Sequence, residues 1–118
     1  MKRLAVLLVL ASLAGGSSVY AATFPARVQA KSDEYSIVLS RQKVPTGLVK
    51  VELVNFGEDP HDLRLRRVGG THTFSIPLTG PGKRRSIAIR MRPGRYQLWC
   101  SVADHRQLGM QTSLRVRR

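Results

Sequence analysis

Three side chains near the C-terminus have types and a spacing suited to binding a metal. Cys100, the only cysteine of this 118-residue chain, is followed after four intervening residues by His105 and after four more by Met110. A thiolate, an imidazole and a thioether are soft or borderline donors, which favour transition metals over magnesium or calcium. At average residue frequencies of about 2% each, a His and a Met at two set positions after a Cys arise by chance in under about one case in a thousand.

A fourth donor, His61, lies upstream at the junction of a loop and an apolar run. Two imidazoles, one thiolate and one thioether form the donor set of copper electron-transfer sites, where two His and a Cys lie in a plane with a long axial Met. A structural zinc site is disfavoured because it takes four Cys or His ligands, and only three are available here. Taken one at a time, Cys100, His61 and Met110 would each be interpreted as an ordinary residue of the core. Together the four donors predict one copper ion.

The elements that must position these donors are short strands. Apolar and polar residues alternate with a period of two in eight runs, separated by turns rich in Gly, Pro, Asn and Asp. This spacing predicts an all-β domain, a Greek-key β-sandwich of about eight strands. His61, Cys100 and Met110 fall on the inward side of their runs, so the donors are expected to meet at one end of the sandwich. The runs cover residues 24–31, 35–39, 49–55, 61–66, 73–76, 87–92, 96–100 and 110–116.

The N-terminus has the pattern of an export signal. A basic pair at positions 2 and 3 precedes an apolar run at 4–14, and small residues lead to Ala21. This pattern predicts a secretory signal peptide at 1–21 and a mature domain at 22–118. The apolar run is too short to span a membrane, so no membrane span is expected. We expect a periplasmic location, because a carrier without an anchor would diffuse away from a cell that lacks an outer membrane.

The charge of the chain restricts its partners. Twenty Lys and Arg residues stand against seven Asp and Glu, which gives a formal net charge of +13. Nucleic acid is not expected as a partner, because an exported protein rarely meets it. Four acidic residues lie in the loops around His61 and His105, so the metal end is expected to be less positive than the rest. These four are Glu58, Asp59, Asp62 and Asp104.

Around the donors the chain resembles the cupredoxins, the small blue copper proteins that include plastocyanin-like and rusticyanin-like members. The segment GRYQLWC at residues 94–100 is similar to the strand that enters the ligand loop in that family, and residues 101–110 resemble the loop itself. The segment NFGEDPH at 55–61 is similar to the loop of the first ligand, where a strand ends in Asn and a Pro precedes the His. The resemblance covers nearly the whole predicted mature domain.

This resemblance implies a role for each donor. His61, Cys100 and His105 would be the equatorial ligands and Met110 the axial ligand of one copper ion, which alternates between Cu(I) and Cu(II). The chain would be a monomeric, non-enzymatic carrier of single electrons. Its partner would be a redox protein such as a cytochrome or a terminal reductase, bound transiently through a small interface.

The residues expected around the ligands are Asn55, Asp62 and Ser101. Asp62 departs from the family pattern, which often has Asn or Ser after the first His to join the two ligand loops. Ala103-Asp104 replaces a Pro-Gly pair, and Thr112 replaces a Gly. The hydrogen bonding around the metal and the reduction potential depend on these positions.

Two other functions remain open at the level of sequence. The same four donors would serve a periplasmic copper-binding protein for storage, delivery or resistance, which would release its metal readily. A metal-free sandwich would act as an adhesion or interaction module with Cys100 merely buried. An oxidase or nitrite reductase is disfavoured, because further copper centres need more than the three His of this chain.

Overall fold

The computed structural model describes residues 15–16 and 25–118. The predicted signal peptide, apart from Gly15 and Gly16, therefore lies outside the described residues. Within the described part, no helix has the length and hydropathy that a membrane crossing would require. The regular elements there are nine strands: β1 (Ala26–Asp33), β2 (Ser36–Leu39), β3 (Lys43–Pro45), β4 (Gly47–Asn55), β5 (His61–Arg67), β6 (Thr73–Thr79), β7 (Arg84–Met91), β8 (Gly94–Trp99) and β9 (Gln111–Arg117).

The strands form two sheets that pack face to face. One sheet has the order β2-β1-β4-β7, and the other has the order β3-β9-β8-β5-β6. Neighbouring strands are antiparallel except for β1 with β4 and β3 with β9. The chain passes between the sheets after β2, β3, β4, β6 and β7, which is typical of a Greek-key sandwich. The predicted fold class is thereby confirmed.

The short strand β3 is the element that the sequence pattern missed. It has three residues, of which only Val44 faces the core, so no alternation is visible. Its pairing with β9 places it at the edge of the five-stranded sheet. Pro45 suits that edge, where a missing backbone donor is tolerated.

The predicted alternation is visible in the core. Val49, Val51 and Leu53 of β4 are fully buried, and so are Leu63 and Leu65 of β5 on the opposite sheet. Burying each such side chain contributes about 1.5–3 kcal/mol to folding. These inward rows hold the two sheets together and fix the register of β4 and β5.

A β-bulge disturbs the alternation at the start of β5. The register between β5 and β6 shifts between His61 and Leu63. In regular alternation Asp62 would face away from the core, because His61 and Leu63 face inward, yet all three residues are buried. Bulges commonly redirect a side chain next to a functional site. Here the bulge turns the Asp62 carboxylate toward the segment that follows β8.

Candidate metal centre

The structure brings three of the four predicted donors into one buried triangle. The two Nδ1 atoms of His61 and His105 lie 3.2 Å apart. Cys100 Sγ lies 3.9 Å from the first of these nitrogens and 3.8 Å from the second. Among the described residues this is the one group of at least three His, Cys, Asp or Glu side chains whose ligand atoms lie close enough to hold a metal.

The size of the triangle fits a trigonal metal. Bonds of about 2.0 Å to nitrogen and 2.3 Å to sulfur at 120° would separate the nitrogens by about 3.5 Å and each nitrogen from the sulfur by about 3.7 Å. The observed separations of 3.2, 3.9 and 3.8 Å differ from these by only a few tenths of an ångström. The three side chains are therefore already placed where a bound ion needs them.

The segment from Cys100 to Met110 is held mainly by its own hydrogen bonds. The amide of Cys100 donates to the carbonyl of Met110 at 3.1 Å, and the amide of Met110 donates to the carbonyl of His105 at 3.0 Å. The side chain of Met110 is fully buried. These bonds keep the three predicted ligands of this segment, here called the cysteine loop (residues 100–110), in a closed turn.

Gly109 lets the cysteine loop approach the turn between β1 and β2. Its φ is +125°, a left-handed conformation that favours glycine, and a Cβ at this position would lie 3.0 Å from the carbonyl oxygen of Tyr35. The Tyr35 ring also lies 4.9 Å from the His105 ring, between centroids. The loop is therefore fitted to the turn as well as closed on itself.

The orientation of His61 is set by Glu34, a residue that the sequence did not single out. His61 Nε2 lies 3.0 Å from Glu34 Oε1, while its Nδ1 faces Cys100 and His105. A carboxylate at Nε2 favours the tautomer with the proton on that nitrogen, which leaves Nδ1 free to bind a metal. Glu34 lies 27 residues before His61 in a polar turn, so neither spacing nor periodicity indicates the contact.

The Glu34 carboxylate is itself held by the loop that precedes His61. It accepts hydrogen bonds from the amides of Asp59 at 2.8 Å and Glu58 at 3.1 Å. These backbone bonds lower the pKa of Glu34 from its usual 4.5 to about 2. The contact also depends on Gly57, since a Cβ there would lie 2.2 Å from Glu34 Oε1. We call this set of contacts among Glu34, Gly57, Glu58, Asp59 and His61 the glutamate clasp.

Asn55 fixes the other side of the same loop. Its Nδ2 donates to the carbonyls of Asp59 at 2.7 Å and Thr79 at 2.9 Å, and its Oδ1 accepts from the amide of Gly57 at 2.8 Å. The side chain is almost fully buried. Asn55 thus joins the end of β4 to the end of β6 and shapes the loop that leads into His61.

Asp62 and Ser101 join the two ligand segments directly. The amide of Ser101 donates to Asp62 Oδ1 at 2.7 Å, and the Ser101 hydroxyl donates to Asp62 Oδ2. Arg64 Nε donates to the same Oδ2 at 3.3 Å. Burial alone would raise the pKa of Asp62, but these hydrogen bonds outweigh it and the pKa is lowered. The carboxylate therefore makes a loop-to-loop link at the position where the family often has Asn or Ser.

The surroundings of Cys100 determine the state of its thiol. Burial is the largest influence and raises the pKa of Cys100 above its usual value. Without a metal the group is therefore a neutral thiol at neutral pH. Binding a metal displaces this proton, because the thiolate is the form that acts as a ligand.

The site lies just beneath one end of the sandwich. His61, Cys100 and Met110 are fully buried, whereas His105 is 7% exposed, so His105 is the donor nearest the surface. Phe56 and Leu108, from the two ligand loops, are among the exposed apolar side chains. The third histidine of the protein, His72, is exposed and packs against Phe74, outside this cluster.

Solved structures that superpose on this chain include copper proteins. No sequence-family model matches the chain, and no curated protein sequence matches it. A dithionite-reduced auracyanin from Roseiflexus castenholzii superposes with a TM-score of 0.66 at 17% identity, covering 81% of this chain and 100% of the auracyanin. A purple cupredoxin from Nitrosopumilus maritimus gives 0.56 at 20% identity, covering 78% and 99%. The chain has the cupredoxin fold.

An enzyme also contains a region with this cupredoxin fold. A copper-containing nitrite reductase from Thermus scotoductus gives a TM-score of 0.51 at 27% identity, covering 80% of this chain but only 23% of the enzyme. The chain thus corresponds to about a quarter of that protein. The fold and the His-Cys-His-Met donor set together point to one copper ion per chain.

Proposed function

We propose that this cupredoxin-fold chain binds one copper ion through His61, Cys100, His105 and Met110 and carries single electrons between redox proteins. The observation that supports it most is the buried triangle of two imidazole nitrogens and one sulfur, with sides of 3.2–3.9 Å. Copper held by this donor set supplies a one-electron change between Cu(I) and Cu(II).

The protein's part in this function is to keep its ligands fixed. The glutamate clasp fixes the ring of His61, and the hydrogen bonds of the cysteine loop fix Cys100 and His105. Because the sides of the triangle match those of a trigonal site to within a few tenths of an ångström, little movement of the ligands is expected in either oxidation state. A small rearrangement on gain or loss of an electron favours rapid transfer. The protein then contributes through a rigid scaffold that orients the ligands, and not through a catalytic group.

The cellular setting is part of the same proposal. The pattern at residues 1–21 supports export to the periplasm, with residues 22–118 as the mature domain. A monomer that meets a cytochrome or terminal reductase transiently fits the small size of the domain and the exposed apolar side chains Phe56 and Leu108 of the two ligand loops. No substrate is turned over in this proposal, so the chain acts as a carrier and not as an enzyme.

The test is titration of the purified metal-free protein with Cu(II), followed by absorption spectroscopy and voltammetry. We expect an intense visible band that saturates at one copper per chain, a reversible one-electron wave, and bleaching by ascorbate. Cys100→Ser is the variant that should lose the band, and His72→Ala is the matched control that should keep it.

The results also separate the alternatives. Copper binding without a reversible wave, and with fast loss to a chelator, would support storage or delivery instead. Absence of copper binding would leave a metal-free interaction module.

A further inference from the structure

The outer face of the five-stranded sheet carries a tryptophan between two arginines. Trp99, the last residue of β8, is half-buried on this face and directly precedes Cys100. The guanidinium carbon of Arg106 lies 4.6 Å from the centroid of the indole ring, and that of Arg66 lies 6.0 Å from it. Both arginines are exposed. Together with Gln97 they line one continuous groove, here called the tryptophan face.

The two arginines have no carboxylate partner among the described residues. Arg66 Nε donates to the hydroxyl of Thr73 at 2.8 Å, and Arg106 Nε lies 3.4 Å from Gln111 Oε1. The ion pairs in the described part of the chain involve other groups. The positive charge of the tryptophan face is therefore available to an outside partner.

The surrounding sheet strengthens this positive field. Every charged residue in its five strands is basic except Asp62, and that carboxylate is engaged by Ser101 and Arg64. Arg95 and Arg115 are directly paired across β8 and β9 on this sheet. Charges of one sign on one surface steer partners of the opposite sign.

The metal end of the molecule carries charges of both signs, with Lys83 and Arg84 beside the end of β4 and Lys31 over the Phe56 ring. The acidic residues of the chain, apart from Glu52 on the other sheet, lie at the ends of strands and in the loops around the triangle: Asp33, Glu34, Glu58, Asp59, Asp62 and Asp104. This mixture gives an acidic partner no comparable attraction, although Phe56 and Leu108 offer apolar contacts. The same partner would be attracted to the tryptophan face.

We propose that the tryptophan face docks an acidic electron-transfer protein. This inference rests on the proposed function, because it assigns an entry point to the same centre. With copper bound by the triangle, one electron would pass from the reduced partner, which is thereby oxidised, to Cu(II), which is thereby reduced to Cu(I); Trp99 and the adjoining Cys100 would lie between the two. No proton or atom moves. Arg66 and Arg106 pair with partner carboxylates, and Trp99 supplies the flat apolar contact between them, as is typical of interface centres.

The kinetic test uses a plant-type [2Fe–2S] ferredoxin, a small acidic protein, as the reductant of the copper-loaded protein in stopped-flow measurements. Arg66→Glu/Arg106→Glu should slow reduction at least tenfold at low ionic strength, and the difference should shrink as salt screens the charges. Arg27→Glu/Arg41→Glu is the matched control, since it makes the same charge change at exposed positions by the other sheet. An equal slowing in both variants would overturn the proposal, because it would reflect net charge alone.

A binding measurement separates this proposal from the proposed function. Hexacyanochromate(III), a redox-inert paramagnetic trianion, should broaden the NMR signals of the Trp99 indole and the Arg66 and Arg106 side chains in the metal-free protein. This result does not require electron transfer, so it can be obtained even if no reversible copper wave exists. Broadening spread over other basic surfaces, with none at Trp99, would overturn the proposal.

Two further readouts guard against misinterpretation. Arg66→Gln/Arg106→Gln should give a smaller slowing in the same direction and serves if charge reversal disrupts folding. An unchanged visible band and melting temperature in either double variant would show that the centre is intact. Broadening by hexacyanochromate(III) at the tryptophan face, without any slowing of reduction by ferredoxin in the double variants, would assign the face to small anions and overturn the proposal.

Discussion

The two segments that supply the donors are positioned in different ways. The cysteine loop holds its donors by backbone hydrogen bonds within eleven residues, such as Cys100 to Met110 at 3.1 Å. His61 depends on residues distant in sequence: Glu34, after β1, contacts its ring at 3.0 Å, and Asn55, at the end of β4, shapes the loop that leads into it. The first arrangement is local in sequence, whereas the second depends on strands β1 and β4 being in register. Changes to each segment should therefore fail in different ways.

The largest expected effect comes from removing either imidazole. His61→Gly and His105→Gly should both lose the visible copper band, because each removes one corner of the triangle. Added imidazole should restore the band in the second variant, where the site reaches the surface, and not in the first, where the ring is fully buried. Absorption spectra with and without imidazole measure this. Equal rescue of both variants would contradict the difference in burial.

Asn55→Ala should be the most destabilising change to the His61 side. The side chain is buried and makes three hydrogen bonds, to the backbone of Gly57, Asp59 and Thr79. At about 1 kcal/mol for each bond, the free energy of unfolding should fall by about 3 kcal/mol. Chemical denaturation of the metal-free protein measures it. Gln29→Ala, which removes a partly exposed amide bonded to Glu52, is the control and should cost less than about 1 kcal/mol.

Gly109→Ala should destabilise the cysteine loop by a smaller amount. The left-handed backbone at +125° and the carbonyl of Tyr35 at 3.0 Å from a new Cβ together should cost about 1–3 kcal/mol. Gly69→Ala is the matched control, because its φ is +82° and nothing lies within 4 Å of its Cβ position. Comparing the free energies of unfolding of the two variants separates the cost of backbone strain, which both share, from the cost of the contact with the Tyr35 carbonyl, which only Gly109→Ala has. A shift of the visible band should accompany Gly109→Ala only.

The same contrast between local and long-range contacts explains how much of the fold and of the site could be predicted from the sequence. The strands and the Cys100, His105 and Met110 spacing are local patterns, and they indicated the sandwich and the donors. The glutamate clasp joins residues 27 apart through a turn that has no periodicity, and no local signal marks Glu34. The short strand β3 was missed for a similar reason, because a single inward residue makes no pattern.

Glu34→Gln tests whether the charge of the clasp matters beyond its shape. The amide keeps one oxygen for His61 and the amide of Asp59, but it replaces the oxygen that accepts from the amide of Glu58 and removes the negative charge that makes the ring a stronger donor. Substituting a residue that hydrogen-bonds a metal ligand typically weakens metal binding by about tenfold or more. If the loss falls on Cu(II), the one-electron potential should rise by about 60 mV. Voltammetry measures it, with Asp33→Asn as the control of equal charge change at the exposed neighbouring carboxylate.

Gly57→Ala should act through the same contact between Glu34 and His61, so its effect on the reduction potential should not add to that of Glu34→Gln. A Cβ 2.2 Å from Glu34 Oε1 would push the flexible side chain away from His61 without requiring the backbone to move. Because both changes loosen one hydrogen bond, the potential of the double variant Gly57→Ala/Glu34→Gln should differ little from that of Glu34→Gln alone. Additive shifts would show that Gly57 affects the centre by another route. Gly80→Ala is the matched control, since the nearest atom to its Cβ position is a Lys83 side-chain carbon at 3.8 Å, an ordinary contact, and no clasp residue lies within 4 Å of that position.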